Sequence, residues 1–185
     1  MEVKHIYLKI PDRDELHHRK AWMMDPETMA YNAGFDMKVD GYDKATGTIR
    51  KTDTQLQEWY DKWTTTKKMY FAYIYDAEEK IPVGEVYYQY QDDISAHMVG
   101  IVIASRYRGK GYAYPALIEL ERIAFEENGV EVLLDMFPED RTEAVKLFMK
   151  AGFTKTDMGR QEIIFGKQKI LRQFSLTKKQ YKQKR

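Results

Sequence analysis

Arg106-Tyr107-Arg108-Gly109-Lys110-Gly111-Tyr112-Ala113 is the stretch on which the reading of this chain turns. It follows the apolar run Val99-Gly100-Ile101-Val102-Ile103-Ala104 and leads into residues with helical spacing. A strand, a short turn rich in Gly and Arg, then a helix makes an anion site. The glycines let the backbone approach a ligand, and the first-turn N–H groups have no partners inside the helix. The helix dipole and the cations Arg106, Arg108 and Lys110 add favourable potential. The order R-x-x-G-x-G is neither the dinucleotide G-x-G-x-x-G nor the phosphate loop G-x-x-x-x-G-K-[ST]. Taken alone, it also fits a plain strand-to-helix turn with a solvated basic face.

A second block lies downstream, from Asp140 to Phe153. Asp140 followed by Glu143 reads as a capping box. Ala144, Leu147 and Phe148 recur on one helical face, and Gly152 stands where a glycine would end the helix. Together the two blocks resemble the signatures of the GNAT superfamily of N-acetyltransferases, [QR]-x-x-G-x-[GA] and N-x-x-A-x-x-L-Y-x-x-x-G-F. Ala144, Leu147, Gly152 and Phe153 match the second signature; Arg141 stands where the family usually has Asn, and Phe148 where it usually has Tyr.

Composition sets limits. At 185 residues the chain fits one domain with a full core, and 43% hydrophobic residues exclude disorder of the whole. We expect one acetyltransferase domain over 1–176 and a basic, solvated tail over 177–185. A net charge of +1 argues against a dedicated nucleic-acid binder. The absence of cysteine removes disulfides, Cys-held metals and thiol nucleophiles. No metal is expected at His17-His18, which has no second spaced pair. No apolar stretch approaches membrane-spanning length and no signal peptide is visible, so no membrane partner and a cytoplasmic location are expected. A homodimer stays open.

The pattern along the chain gives a strand at 6–10, a helix capped by Asp12 and Glu15, and a short helix opened by Asp25-Pro26. A loop or ragged hairpin follows over 36–50. Thr54 and Gln57 suggest another capping box, before the apolar stripe Leu56, Trp59, Tyr60 and Trp63. Three strands over 69–75, 83–91 and 97–103 form a meander. A long helix over 112–128, a strand over 130–136 stopped by Pro138, the 140–150 helix and a strand pair over 153–157 and 169–176 complete the order. This is a mixed α/β fold: a mostly antiparallel central sheet flanked by helices, which is also the acyl-CoA N-acyltransferase fold that the resemblance implies.

The resemblance implies acetyl-CoA as co-substrate and a primary amine of a small molecule or peptide as acceptor. It places the diphosphate on the loop amides from Arg108 through Gly109, Lys110, Gly111 and Tyr112 to Ala113, with Arg106 adding charge. The pantetheine arm would pair like an extra strand with Ile101, Val102 and Ile103. Arg141 and Phe148 fall at the remaining cofactor positions. An amine must be neutral to attack, so a general base is expected. His97 is the first candidate, sharing side-chain parity with Ile101 and Ile103, and Glu85 on the neighbouring strand is the second. Phe148 has no proton to give a leaving thiolate, so Tyr112, Tyr114 or water would serve. The aromatic stripe reads as core, or as a wall for a cationic amine. A second reading is an acyl-CoA-binding sensor that kept the cleft and lost efficient chemistry. A third is an RNA- or ribosome-associated protein using the basic tail, which the near-neutral net charge disfavours.

Overall fold

One seven-stranded sheet organises the described residues, 4–184, of the computed structural model. Its strands are β1 (Ile6–Lys9), β2 (Met69–Asp76), β3 (Pro82–Gln91), β4 (Ala96–Ile103), β5 (Val132–Pro138), β6 (Thr154–Ile164) and β7 (Lys167–Thr177). They lie in the order β1-β2-β3-β4-β5-β7-β6. Every neighbouring pair is antiparallel except β4 with β5. That exception positions the site. A parallel pair needs a crossover, and here the glycine-rich loop and its helix supply it. The pairing holds only at His97↔Leu133 and Met98↔Leu134; beyond these residues the two strands part.

Helices cover both faces. A 3₁₀ turn, Arg13–Glu15, carries the expected Asp12/Glu15 capping box and runs into α1 (Leu16–Met24). Next, α2 (Pro26–Met29) opens on Asp25, whose carboxylate accepts from the N–H groups of Glu27 and Thr28. Then come α3 (Asp53–Thr65), α4 (Ala113–Arg122), α5 (Thr142–Ala151) and α6 (Lys178–Gln183). The last turn of the α4 segment, Ile123–Glu127, widens to π-helical spacing.

The core has two parts. Leu117, Leu120, Ala124, Phe125, Phe148 and Phe153 from the α4 and α5 side pack on Val86, Tyr88, Val99, Leu133 and Phe174 of the sheet. On the opposite face Phe71, Tyr73, Tyr75 and Trp22 form an aromatic cluster, edged by Trp59, Trp63 and Tyr87. The stripe on α3 is thus mainly packing surface.

Several local expectations shift. The box at the start of α3 is Thr52 with Gln55, not Thr54 with Gln57. The Asp140/Glu143 box does not form: Arg141 is the N-cap of α5 without a side-chain bond, and Asp140 pairs with Lys169 on β7. The strand expected over 130–136 is β5, shifted by two residues, and it stops at Pro138, which lies opposite Leu171. The last two strands are a long hairpin rather than two short segments. The expected solvated tail is the packed helix α6, with Tyr181 buried 4.9 Å from the ring of Phe125.

Candidate functional site

The candidate site lies at the slit between β4 and β5 and at the loop above it. Past Met98, β4 carries no β5 partner, so the β5-facing edge of Val99 to Ile103 is bare. The chain then turns through the 3₁₀ segment Ser105–Tyr107 into the loop. Gly109 and Gly111 have φ of +72° and +94°, the left-handed region that Gly enters without strain. A Cβ built on Gly109 would meet nothing within 4 Å, so the loop backbone faces open space. At the head of α4 the N-cap, Tyr112, supplies no side-chain acceptor. Among the described residues, no backbone acceptor serves the amides of Gly109, Lys110, Gly111 or Tyr112. Unpaired amides, open space and a helix N-terminus together fit an anionic group.

The three cations of the loop divide. The Arg106 guanidinium and the Lys110 ammonium lie over the Tyr107 ring, 4.8 and 5.4 Å from its centre, on exposed side chains. Arg108 does not: its guanidinium donates to the carbonyls of Ile103, Glu27 and Thr28 at 3.2, 2.9 and 2.5 Å. Its side chain ties the loop to α2, and its own N–H donates to the Ser105 carbonyl at 3.1 Å, so Arg108, expected to offer its amide to the diphosphate, closes the turn instead.

Tyr112 is not free for proton transfer. It is buried and its hydroxyl donates to the buried Asp76 carboxylate at 2.6 Å. Burial, and then that bond, raise its pKa well above the ordinary phenol. Phe148 is core, with its ring 5.1 Å from Phe137 and 4.8 Å from Phe153.

The two base candidates fall on opposite faces of the sheet. His97 packs edge-on against Tyr88 and Tyr90, on the α4 face, at the closed end of the slit. Burial lowers its pKa. Glu85 lies opposite Val102 on the α1 face and is buried in an ion pair with Arg19 of α1. Burial alone would lower the Arg19 pKa; the adjacent Glu85 carboxylate outweighs it and raises it. The Arg19 guanidinium also stacks on Trp59, 4.0 Å from the ring centre. Glu85 Oε2 and Arg19 Nε have no hydrogen-bond partner among the described residues. Around this pair stand Tyr73, Tyr87 and Tyr31. The Tyr87 ring fills the place a side chain on Gly100 would take, with ring carbon Cζ 2.2 Å from a built Cβ. The glycine of β4 therefore lets a phenol reach across to the slit.

Sequence reasoning missed Arg19, Tyr31, Tyr87 and Asp135. Arg19 and Tyr31 sit in helices read from their caps, Tyr87 and Asp135 in strands read from their apolar residues, and nothing in the local spacing joins them. Asp135 is the first β5 residue beyond the last pair with β4. Its Oδ1 accepts from the Met136 N–H, and burial pushes its carboxyl up to about 7. Arg141, at the head of α5, stacks on Tyr31 and Phe137 at 5.5 and 5.7 Å; burial lowers its pKa, and the Asp135 charge partly restores it.

No helix among the described residues is long and apolar enough to cross a membrane. None of their His, Asp and Glu side chains gather in threes as a metal would require.

A family model described as an acetyltransferase (GNAT) domain matches residues 6–157. No match to a curated protein sequence reaches significance. Among solved structures, a spermidine N-acetyltransferase from Vibrio cholerae, in complex with CoA and spermine, superposes with a TM-score of 0.76 at 17% identity, covering 95% of this chain and 97% of that one. A GNAT-family acetyltransferase from Bacillus anthracis gives 0.70 at 13% identity, over 97% and 98% of the two chains. At such identities the likeness is one of fold.

Proposed function

The chain belongs to the GNAT acetyltransferase family, and from that premise we propose how its slit and loop carry out acetyl transfer from acetyl-CoA to a primary amine. The enzyme is an acetyl-CoA-dependent N-acetyltransferase. The observation that carries the reading of its site is the juxtaposition of a bare strand edge with unpaired loop amides beside open space.

In this reading the diphosphate sits on the amides from Gly109 to Ala113, with Arg106 and Lys110 adding charge. The pantetheine arm runs along the bare edge of Ile101, Val102 and Ile103, held by main-chain bonds as an added strand is. Such placement brings the thioester carbonyl within reach of a β4 backbone N–H. The amine enters from the α1 face, by Tyr87 and the Arg19–Glu85 pair, and attacks the acetyl carbon directly. Orientation in the slit supplies much of the acceleration, at most about 7–11 kcal/mol.

Spermidine, the acceptor named for the Vibrio cholerae neighbour, is the first amine to try. Arg19 already neutralises Glu85, however, so this face offers a second cation little free negative charge. An acceptor with one ammonium or amine near an aromatic wall suits it better.

Calorimetric titration with acetyl-CoA tests the loop. Gly109→Val adds a side chain into space that the protein leaves open, at about 1–2 kcal/mol of left-handed strain. It is expected to fold and to bind acetyl-CoA at least tenfold more weakly. Undiminished affinity would refute this cofactor site. Binding without thiol release across an amine panel would favour the sensor reading instead.

A further inference from the structure

We propose that Asp135 is the acid that protonates the thiolate leaving acetyl-CoA; the assignment rests on the cofactor reading above. A thiolate expelled in an enclosed slit needs a proton close to the sulfur, and the two groups that sequence suggested cannot give one. Tyr112 is bound to Asp76, and Phe148 is apolar and lies in the core.

The geometry points to one group. On β5, Leu133 and Phe137 both pack in the α4/α5 core, so Asp135 between them shares that face. Its cross-strand partner Phe174 lies in the same core. On β4 the same face carries Val99, Ile101 and Ile103, since His97 pairs with Leu133. Of the positions that edge the slit on this face, Val99, Ile101, Ile103, Asp135 and Phe137, only Asp135 ionises. It also stands at the point where the two strands part. Glu85 and Tyr87 lie on the opposite face. Amine and leaving group are thus served from opposite sides of one slit.

The charges around Asp135 keep it in working range. Burial pushes its carboxyl up to about 7; Arg141, from the head of α5, pulls it down less than burial raises it. Tyr87, from β3, feels its charge, and burial holds that phenol protonated. His97 is the titratable side chain on the β4 side of the closed end, beside Leu133. Phe174 is what β7 presents. A carboxyl titrating near neutrality carries a proton in a large fraction of molecules and is more acidic than an alkyl thiol, whose pKa is about 8.5. Transfer to the thiolate is therefore downhill.

The step balances. A C–N bond forms between the amine and the acetyl carbon, and the C–S bond breaks with its electron pair going to sulfur. Sulfur takes the Asp135 proton, the new amide nitrogen loses one to water, and water returns one to Asp135.

CoA itself is the probe. In the wild-type complex the ionised Asp135 opposes formation of a thiolate beside it. The bound thiol, followed by its ultraviolet absorbance, is expected to titrate at least about one pH unit higher than in Asp135→Asn, where that charge is gone. Equal thiol titration in the two proteins would overturn the assignment. Should Asp135→Asn not fold, carboxyl-carbon NMR of the wild-type protein gives the same decision. The Asp135 titration is expected to differ between the complexes with CoA and with desulfo-CoA; an identical one would overturn the proposal. Calorimetry on the same samples separates the two readings. CoA bound with an indifferent thiol removes Asp135 alone, whereas no CoA binding removes the cofactor site and this proposal with it.

Discussion

Tyr112→Phe removes one hydroxyl and tests whether this residue is structural or catalytic. In the native protein that hydroxyl donates at 2.6 Å to Asp76, which also accepts from the Glu78 and Glu79 N–H groups at 2.8 and 2.9 Å. The Tyr112 bond is the largest of the influences that hold the Asp76 carboxyl below its ordinary range, followed by the Glu79 amide. A hydrogen bond to a charged group is worth about 1.5–3 kcal/mol. For a chain of this size each kcal/mol moves Tm by roughly 2–4 °C, so a loss of about 3–12 °C is expected. The sign with pH follows from the depressed pKa. The stabilisation is present above the unfolded value of about 3.9 and is lost as pH falls through the folded value. The gap in Tm between wild type and Tyr112→Phe is therefore full at pH 7 and narrows below about pH 4. Thermal scans across that range measure it, and thiol release from acetyl-CoA measures turnover in parallel. We expect kcat within about twofold of wild type, since catalytic proton transfer is worth roughly 10²–10⁴ and none is removed. A Tm that does not move, with kcat reduced a hundredfold, would refute the structural role and restore Tyr112 as the acid.

Two further substitutions probe the faces of the sheet. Glu85→Gln leaves the buried Arg19 charge uncompensated and is expected to cost about 3–5 kcal/mol in urea unfolding, most of it recovered in the apolar pair Arg19→Met with Glu85→Leu. A Glu85→Gln protein of native stability whose rate no longer rises with pH would make Glu85 the general base rather than half of an ion pair. His97→Ala removes a ring packed on Tyr88 and Tyr90, for about 1 kcal/mol of aromatic contact, and is expected to leave the pH–rate profile unchanged. A hundredfold fall in kcat would return the base to His97.

The loop and the strand before it were legible because their signals are local. Glycines at φ above zero and an apolar run entering a helix need no long-range partner to be recognised. Parity along β4 was read correctly from the alternation of His97, Val99, Ile101 and Ile103. Which face of the sheet the alternation exposes depends on where α1 and α4 pack, and no local pattern carries that. The same limit hid the Arg19–Glu85 pair, whose members come from α1 and β3. Capping signals failed where they were degenerate or outcompeted. Thr52/Gln55 and Thr54/Gln57 overlap, and only the first stands at the helix start. Asp140 had the right spacing to Glu143, yet Lys169 on β7 takes its carboxylate. The last helix was missed because Lys and Gln dominate it, and its apolar contact rests on the ring of Tyr181.

The place of β7 between β5 and β6 also matters while the chain is being made. Asp135 and the rest of β5 pair along their outer edge with residues 171–177, and the whole of α5 and β6 must be translated first. At roughly 5–20 residues per second, the ribosome needs on the order of 2–8 s to pass from Pro138 to Thr177. During that interval β5 is held by β4 at only two positions, and its apolar edge is open to any other strand in reach. Slowing synthesis after Pro138 lengthens this exposure, and synonymous codon changes between Glu139 and Thr177 thus become a lever on soluble yield that alters no side chain.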